Sequence, residues 1–210
     1  MSWRSLVLCR GSYQAARSHQ AGFGLIELMV SIAVMAIVSS IILIRHESFN
    51  SATLLRSQAY EVALRVREVQ FSAVSASGDG SGDFNSVNGV YFDLTPGLNG
   101  VYKSFRDGDG DYFFDAGEED GQAGVLDERF EISDIRAVGV GAVLNGDDVA
   151  IVFERPNFDA KFYEDASDEV VNATAMEIDV ARRGAAGATC GEVRTVEITR
   201  TGQISVLPCP

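Results

Sequence analysis

The sequence predicts an α+β protein in which a long N-terminal helix, transmembrane in its first half and amphipathic in its second, packs on an antiparallel β-sheet domain. Three observations carry this expectation. From Phe23 to Ile44 the only charged residue is Glu27, and a helix of that length spans the hydrocarbon core of a bilayer. Residues 51–78, "SATLLRSQAYEVALRVREVQFSAVSASG", keep apolar side chains at helical spacing. Beyond them the chain turns to short alternating stretches separated by glycine and aspartate.

Taken in order, residues 1–22 carry Arg4, Arg10 and Arg17 and no acid. Setting them aside takes the net charge of the 210-residue chain from −13 to −16. A basic segment before the apolar run and an acidic part after it put the N-terminus in the cytoplasm and the domain outside. Glu27 is the anomaly of the run. A carboxylate at the centre of a membrane helix costs roughly 2.5 to 3.5 kcal/mol and less near an end, so it asks for a partner. The run is also preceded, not followed, by a small residue, Gly22; cleavage there leaves the hydrophobic helix on the mature protein, unlike a secretory signal.

The second helical segment, 45–77, places Leu55, Ala59, Val62, Ala63, Val66, Val69 and Ala73 on one side, a stripe expected to lie against a sheet, with Glu61 and Arg65 spaced for an ion pair on the other. Gly78, Gly80 and Gly82 are expected to end it. The head, 78–210, reads as strands in "NGVYFDL", "GVYKSF", "RFEISDIRAVGV", "DVAIVFERP", "AMEIDVARR" and "EVRTVEITRTGQISVLP", with a hairpin turn at Thr201-Gly202. Between the second and third of these lies "DGDGDYFFDAGE", residues 107–118, with acids at positions 1, 3, 5, 9 and 12: Asp107, Asp109, Asp111, Asp115 and Glu118. Hard oxygen donors at that spacing suit Ca²⁺, the expected cofactor, although Tyr112 stands at the sixth position, where the sharp turn wants glycine. The competing reading is a solvated acidic turn.

Composition excludes several chemistries. Both histidines, His19 and His46, precede the head, which removes Ser-His-Asp and Cys-His arrangements and histidine-containing zinc sites there. Cys9 falls in the leading segment, leaving Cys190 and Cys209, which form a disulfide in an oxidising compartment or stay as two thiols. No enzyme is expected. A surface of this charge repels phosphate backbones, and the tail "TRTGQISVLPCP" offers only Arg200, so nucleic acid is not an expected partner.

Gly22, Phe23, Gly24, Leu25, Ile26, Glu27, Leu28, Met29 and Val30 together resemble the signature of the type IV pilin and type II secretion pseudopilin superfamily: a glycine, a phenylalanine and a Thr-Leu-Ile-Glu-like tetrapeptide opening the helix. Gly24 departs from the usual threonine, and Ala21 from the basic residue common before the glycine. The resemblance implies a pilin-like fold, a prepilin peptidase that cuts after Gly22 and methylates Phe23, and a Glu27 that pairs with the terminal ammonium of a neighbouring subunit. It also supports the Cys190–Cys209 disulfide, since many pilins fasten their C-terminal region this way. A looser pattern across residues 54–207 resembles the FimT/GspH branch of minor pilins and pseudopilins.

The function implied is structural: a minor pilin or pseudopilin built into a filament through its N-terminal helix, acting in assembly, in priming or at the tip. A GspH-type pseudopilin of type II secretion fits the same motifs, and a filament-displayed adhesin or DNA-uptake subunit is the reading of another class. The expected partners are other pilins or pseudopilins, the peptidase and the inner membrane, crossed once, with the C-terminal domain periplasmic before filament entry.

Overall fold

The computed structural model describes residues 24–75, 87–139, 141, 144, 146–166, 168–185 and 192–207, and the backbone alone for 44–50. Residues 1–22, Phe23, the glycines at 78, 80 and 82, Cys190 and Cys209 lie outside the described residues. The chain divides into two units, residues 1–46 and 47–210. One helix, α1 (Leu25–Val74), contributes residues to each.

In the first unit α1 opens at Gly24, whose carbonyl accepts the N–H groups of Glu27 at 3.0 Å and Leu28 at 3.2 Å. Gly24 is thus the cap, and Glu27 sits in the first turn, where the unpaired N–H groups and the helix dipole favour a negative charge. Leu25–Leu43 has a mean hydropathy of 2.5 and is long and apolar enough to cross a membrane. Ser31 and Ser40 each donate their hydroxyl to the carbonyl four residues back, Glu27 and Ala36, so neither needs a solvent partner within the apolar stretch.

In the second unit, Leu55, Ala59, Val62, Ala63, Val66, Val69 and Ala73 are all buried, as their spacing predicts. The Glu61–Arg65 pair does not form. Arg65 donates instead to Glu68 at 3.0 Å and to the Gln122 carbonyl at 2.8 Å, while Gln58 donates to Glu61. The carbonyl of the loop draws the guanidinium away from the i−4 carboxylate.

The strands are β1 (Val87–Asp93), β2 (Val101–Asp107), β3 (Gly124–Val125), β4 (Phe130–Val138), β5 (Asp148–Phe153), β6 (Ala160–Asp165), β7 (Asp168–Glu169), β8 (Ala175–Arg182), β9 (Val193–Thr199) and β10 (Ile204–Leu207). They form two antiparallel sheets, one ordered β3-β2-β1-β5-β6-β7 and the other β10-β9-β8-β4. One core joins the helix stripe to the inner faces of both: Val90, Phe92, Ile151, Phe153 and Phe162 from the first sheet, and Ile132, Met176, Ile178, Val196 and Ile198 from the second. Their alternate neighbours point to the opposite face of each sheet, as the period of two requires.

Polar bonds tie the C-terminal end of α1 to this framework. Arg67 donates to the Ile204 carbonyl at 2.8 Å, and Gln70 donates to the carbonyls of Phe158 and Gly202, each at 2.9 Å. Arg155 donates to the Ala73 carbonyl at 3.1 Å, satisfying an acceptor left open where the helix ends. The β9–β10 turn that receives Gln70 is the predicted hairpin, closed by Gly202 N–H to Thr199 O and Thr199 N–H to Gln203 O, both 2.8 Å. Gly202 has φ +79°, and a Cβ there would stand 1.9 Å from the Phe158 carbonyl oxygen. Gly202→Ala is therefore expected to destabilise the head by roughly 1–3 kcal/mol through backbone strain alone, and by more through the clash. Denaturant unfolding checks this; a midpoint equal to that of the unaltered protein would mean that the turn relaxes freely.

Candidate functional site

Two regions carry the chemistry that the sequence singles out. The first is the head of α1. Glu27 is exposed there and is the only charged residue in the stretch Gly24–Leu43. Its proposed counterpart, the amino terminus of Phe23, and the glycine before it lie outside the described residues.

The second region is the acidic loop that leaves β2. The five carboxylates converge in two overlapping groups: Asp107, Asp109 and Glu118 offer oxygens within 4.8 Å of one another, as do Asp109, Asp111 and Asp115. Asp109 belongs to both. The backbone is wound around the same side chains. Asp107, only 8 % exposed, accepts from Gly110 N–H at 2.6 Å and Tyr112 N–H at 3.0 Å. Asp109 accepts from Asp111 N–H and Asp111 from Phe113 N–H, at 3.2 and 2.8 Å. Glu118 clasps both ends of the loop, taking Gly108 N–H on one oxygen at 2.7 Å and Asp115 N–H on the other at 3.1 Å. The sequence objection to this loop was Tyr112 at the sixth position. That residue has φ +68°, the left-handed conformation that glycine would supply, in a tyrosine.

What holds a tyrosine in that conformation is the outer face of the first sheet. Tyr91, Phe105, Ala150, Val152 and Tyr163 make a second apolar cluster there, and Tyr112, Phe113 and Phe114 cover it. The rings of Tyr112 and Tyr163 stack at 5.1 Å with 5° between planes; Phe113 meets Tyr91 edge-on at 5.5 Å, and Phe114 meets Phe105 at 5.8 Å. Gly89 makes the room: a Cβ at that position would lie 2.4 Å from the Phe105 ring. Two lysines close the rim. Lys103 lies 4.5 Å from the Phe114 ring centre, and Lys161 lies 5.2 Å from that of Tyr112 while donating to Glu154 at 2.7 Å.

Titration behaviour follows burial. The Tyr163 hydroxyl is pushed up to about 12, chiefly by desolvation under the loop. Tyr91 is raised by burial and by donating to Asp148 at 2.9 Å. At the loop's far end, backbone N–H groups of Glu119 itself and of Gly117 hold the Glu119 carboxyl below its usual range. Sequence reasoning found the carboxylates and missed the aromatic seat. The signal was present as three successive aromatics, "YFF", inside a polar loop, a placement that solvent does not favour.

Comparison with known proteins bears on the first region. Residues 17–43 match the family described as the prokaryotic N-terminal methylation motif. No curated protein sequence matches the chain. Among solved structures, the minor pseudopilin EpsH from the Type 2 Secretion System of Vibrio cholerae is similar at 12% identity and a TM-score of 0.41, over 73% of this chain and 95% of that one. The family match thus identifies the N-terminal segment of this chain, residues 17–43, as a prokaryotic N-terminal methylation motif.

Proposed function

We propose that this protein is a minor pilin or pseudopilin, a structural subunit that enters a type IV pilus-like filament through α1 and acts in assembly, in priming or at the tip. The observation that carries the reading is the methylation motif over residues 17–43, with Glu27 in the first turn of a helix whose next residues are apolar. In this reading a prepilin peptidase removes residues 1–22 and methylates Phe23. The protein waits in the inner membrane with its head in the periplasm. In the filament Glu27 meets the terminal ammonium of a neighbouring subunit, which offsets the burial of both charges. The same features serve a GspH-type subunit of a secretion filament. The role is structural and not catalytic.

Mass spectrometry of membrane and filament fractions should find a mature protein starting at methylated Phe23; assembled material retaining residues 1–22 would refute the cleavage. Glu27→Ala should leave processing intact and reduce the amount incorporated into filaments. Incorporation at the unaltered level would mean that the charge pair is dispensable.

The Cys190–Cys209 disulfide belongs to the same proposal, closing a loop of about 20 residues that contains the last hairpin and stabilising the head by roughly 3 kcal/mol on the chain-entropy account. Alkylation of the non-reduced, exported protein should leave both cysteines unlabelled. Labelling of both would make them free thiols.

The acidic loop is proposed to take Ca²⁺, with Asp107, Asp109, Asp111, Asp115 and Glu118 as its oxygen donors. Supporting this are the convergence of the carboxylates within 4.8 Å and the left-handed turn at Tyr112, which meets the conformational demand of the sixth position. Bound calcium would relieve the repulsion among these carboxylates, and at about 100 times Kd it would add about 2.7 kcal/mol to stability. The melting temperature of the mature protein in non-ionic detergent should rise with calcium and fall back with chelator. The double substitution Asp109→Ala, Glu118→Ala should abolish that shift. Identical responses of the two proteins at millimolar calcium would leave the loop an acidic turn.

A further inference from the structure

A pocket of about 270 Å³ in the second unit opens between α1 and the edge strand β10, lined by Arg56, Tyr60, Arg194, Val206 and Leu207. Arg56 and Tyr60 are one helical turn apart. The Arg56 guanidinium lies 5.5 Å from the Tyr60 ring centre, with one nitrogen 3.4 Å from the hydroxyl. Arg194 reaches the pocket from β9. It alternates in step with Val196 and Ile198, whose side chains are in the core, so it points to the helix side of the sheet just past the end of the apolar layer. It is half-buried.

The charge state of this pocket runs against that of the chain. The sequence has 30 acids against 17 lysines and arginines. Arg65, Lys103, Arg106, Arg129, Arg136, Lys161, Arg183 and Arg200 each take a carboxylate partner. Arg67 and Arg155 donate to backbone carbonyls instead. Arg56 and Arg194 face one pocket, and among the described residues neither of these two forms an ion pair. Arg56 is exposed and Arg194 is partly withdrawn from water, and among the described residues no carboxylate neutralises either. Each guanidinium presents a planar fork of N–H donors that matches a carboxylate. Beside the forks stand Val206, Leu207 and the Tyr60 ring, which offer apolar contact.

We infer that this pocket receives a carboxylate side chain flanked by an apolar residue, from an acidic segment of a partner protein. The two arginines supply the counter-charge, and Val206 and Leu207 the contact that a free anion would not use. The neighbouring strand β10 is the edge of its sheet; Arg67 takes its Ile204 carbonyl, which leaves the stretch at Val206 and Leu207 beside the pocket. The inference is independent of calcium binding and of the processing at Gly22.

The test is fluorescence anisotropy with the full mature chain in non-ionic detergent and a labelled peptide, acetyl-Gly-Leu-Glu-Leu-Glu-Gly-amide. The same peptide with glutamine for glutamate serves as the neutral control, and a labelled single-stranded oligonucleotide as the phosphate control. Binding of the acidic peptide is expected, weakened about tenfold or more by Arg194→Gln, by Arg56→Gln and by 0.5 M NaCl, with no binding of the neutral peptide. Arg194→Lys, which keeps the charge and loses the fork, should fall between, and it replaces Arg194→Gln if the latter melts at a lower temperature than the unaltered chain. Absence of acidic-peptide binding at millimolar concentration overturns the inference, as does equal binding by the arginine variants. An oligonucleotide that binds more tightly than the peptide, and loses that binding in the same variants, also overturns it in favour of a phosphate ligand.

Discussion

The head depends on one contact: the buried stripe of α1 from Leu55 to Ala73, which fills the space between two sheets. The inner faces of both sheets share one apolar core with that stripe. The stripe is made of leucine, valine and alanine side chains. Burying each of the larger ones contributes about 1.5–3 kcal/mol. A charged residue at Val62 or Val66, both fully buried, would separate all three layers at once.

The outer face of the first sheet is a separate problem with a separate answer. An antiparallel sheet ordinarily turns polar residues to solvent on one side. Here Phe105, Ala150, Val152 and Tyr163 face outward and are buried nonetheless, because the loop between β2 and β3 folds back over them. The carboxylates of that loop organise its backbone from one side and its aromatics anchor it from the other, so its two chemistries are parts of a single structure. The outer face of the second sheet uses charge instead. Arg136 bonds Asp134, Glu177 and Asp179, and the Asp179 hydrogen bond above all raises its pKa. Thr195 donates to Asp179 across the neighbouring strand pair.

Much of this was legible in the sequence. The helix stripe could be read residue by residue, since a helix buried on one side repeats at 3.6 residues and nothing else in 51–74 competes with that period. The long strands were legible for the analogous reason. What escaped was whatever depends on pairing and not on pattern. Strands β3 and β7, two residues each, exist only because a neighbour offers hydrogen bonds, and β6, "AKFYED", carries three charges that mask its inward Ala160 and Phe162. The division into two sheets was likewise invisible, because alternation says which face is apolar and not which strands are neighbours. At the acidic loop the carboxylate spacing was readable, whereas the left-handed turn at Tyr112 required Tyr163, more than fifty residues away in the chain, to stack on its ring. The opposite ion-pair assignment, Glu61 to Arg65, failed because a loop carbonyl distant in sequence outcompeted a local partner.

The polar ties at the end of α1 give the head a direction of strength. Arg67, Gln70 and the Ala73 carbonyl bond to β10, to the two loops beside it and to Arg155 within about two helical turns. A force applied along the helix axis meets these bonds side by side, so that they share the load in shear along with the interdigitated stripe. A force that peels the helix sideways from its C-terminal end meets them one after another. The head is therefore built to resist being drawn lengthwise by its own helix and to yield first to prying at residues 67–73.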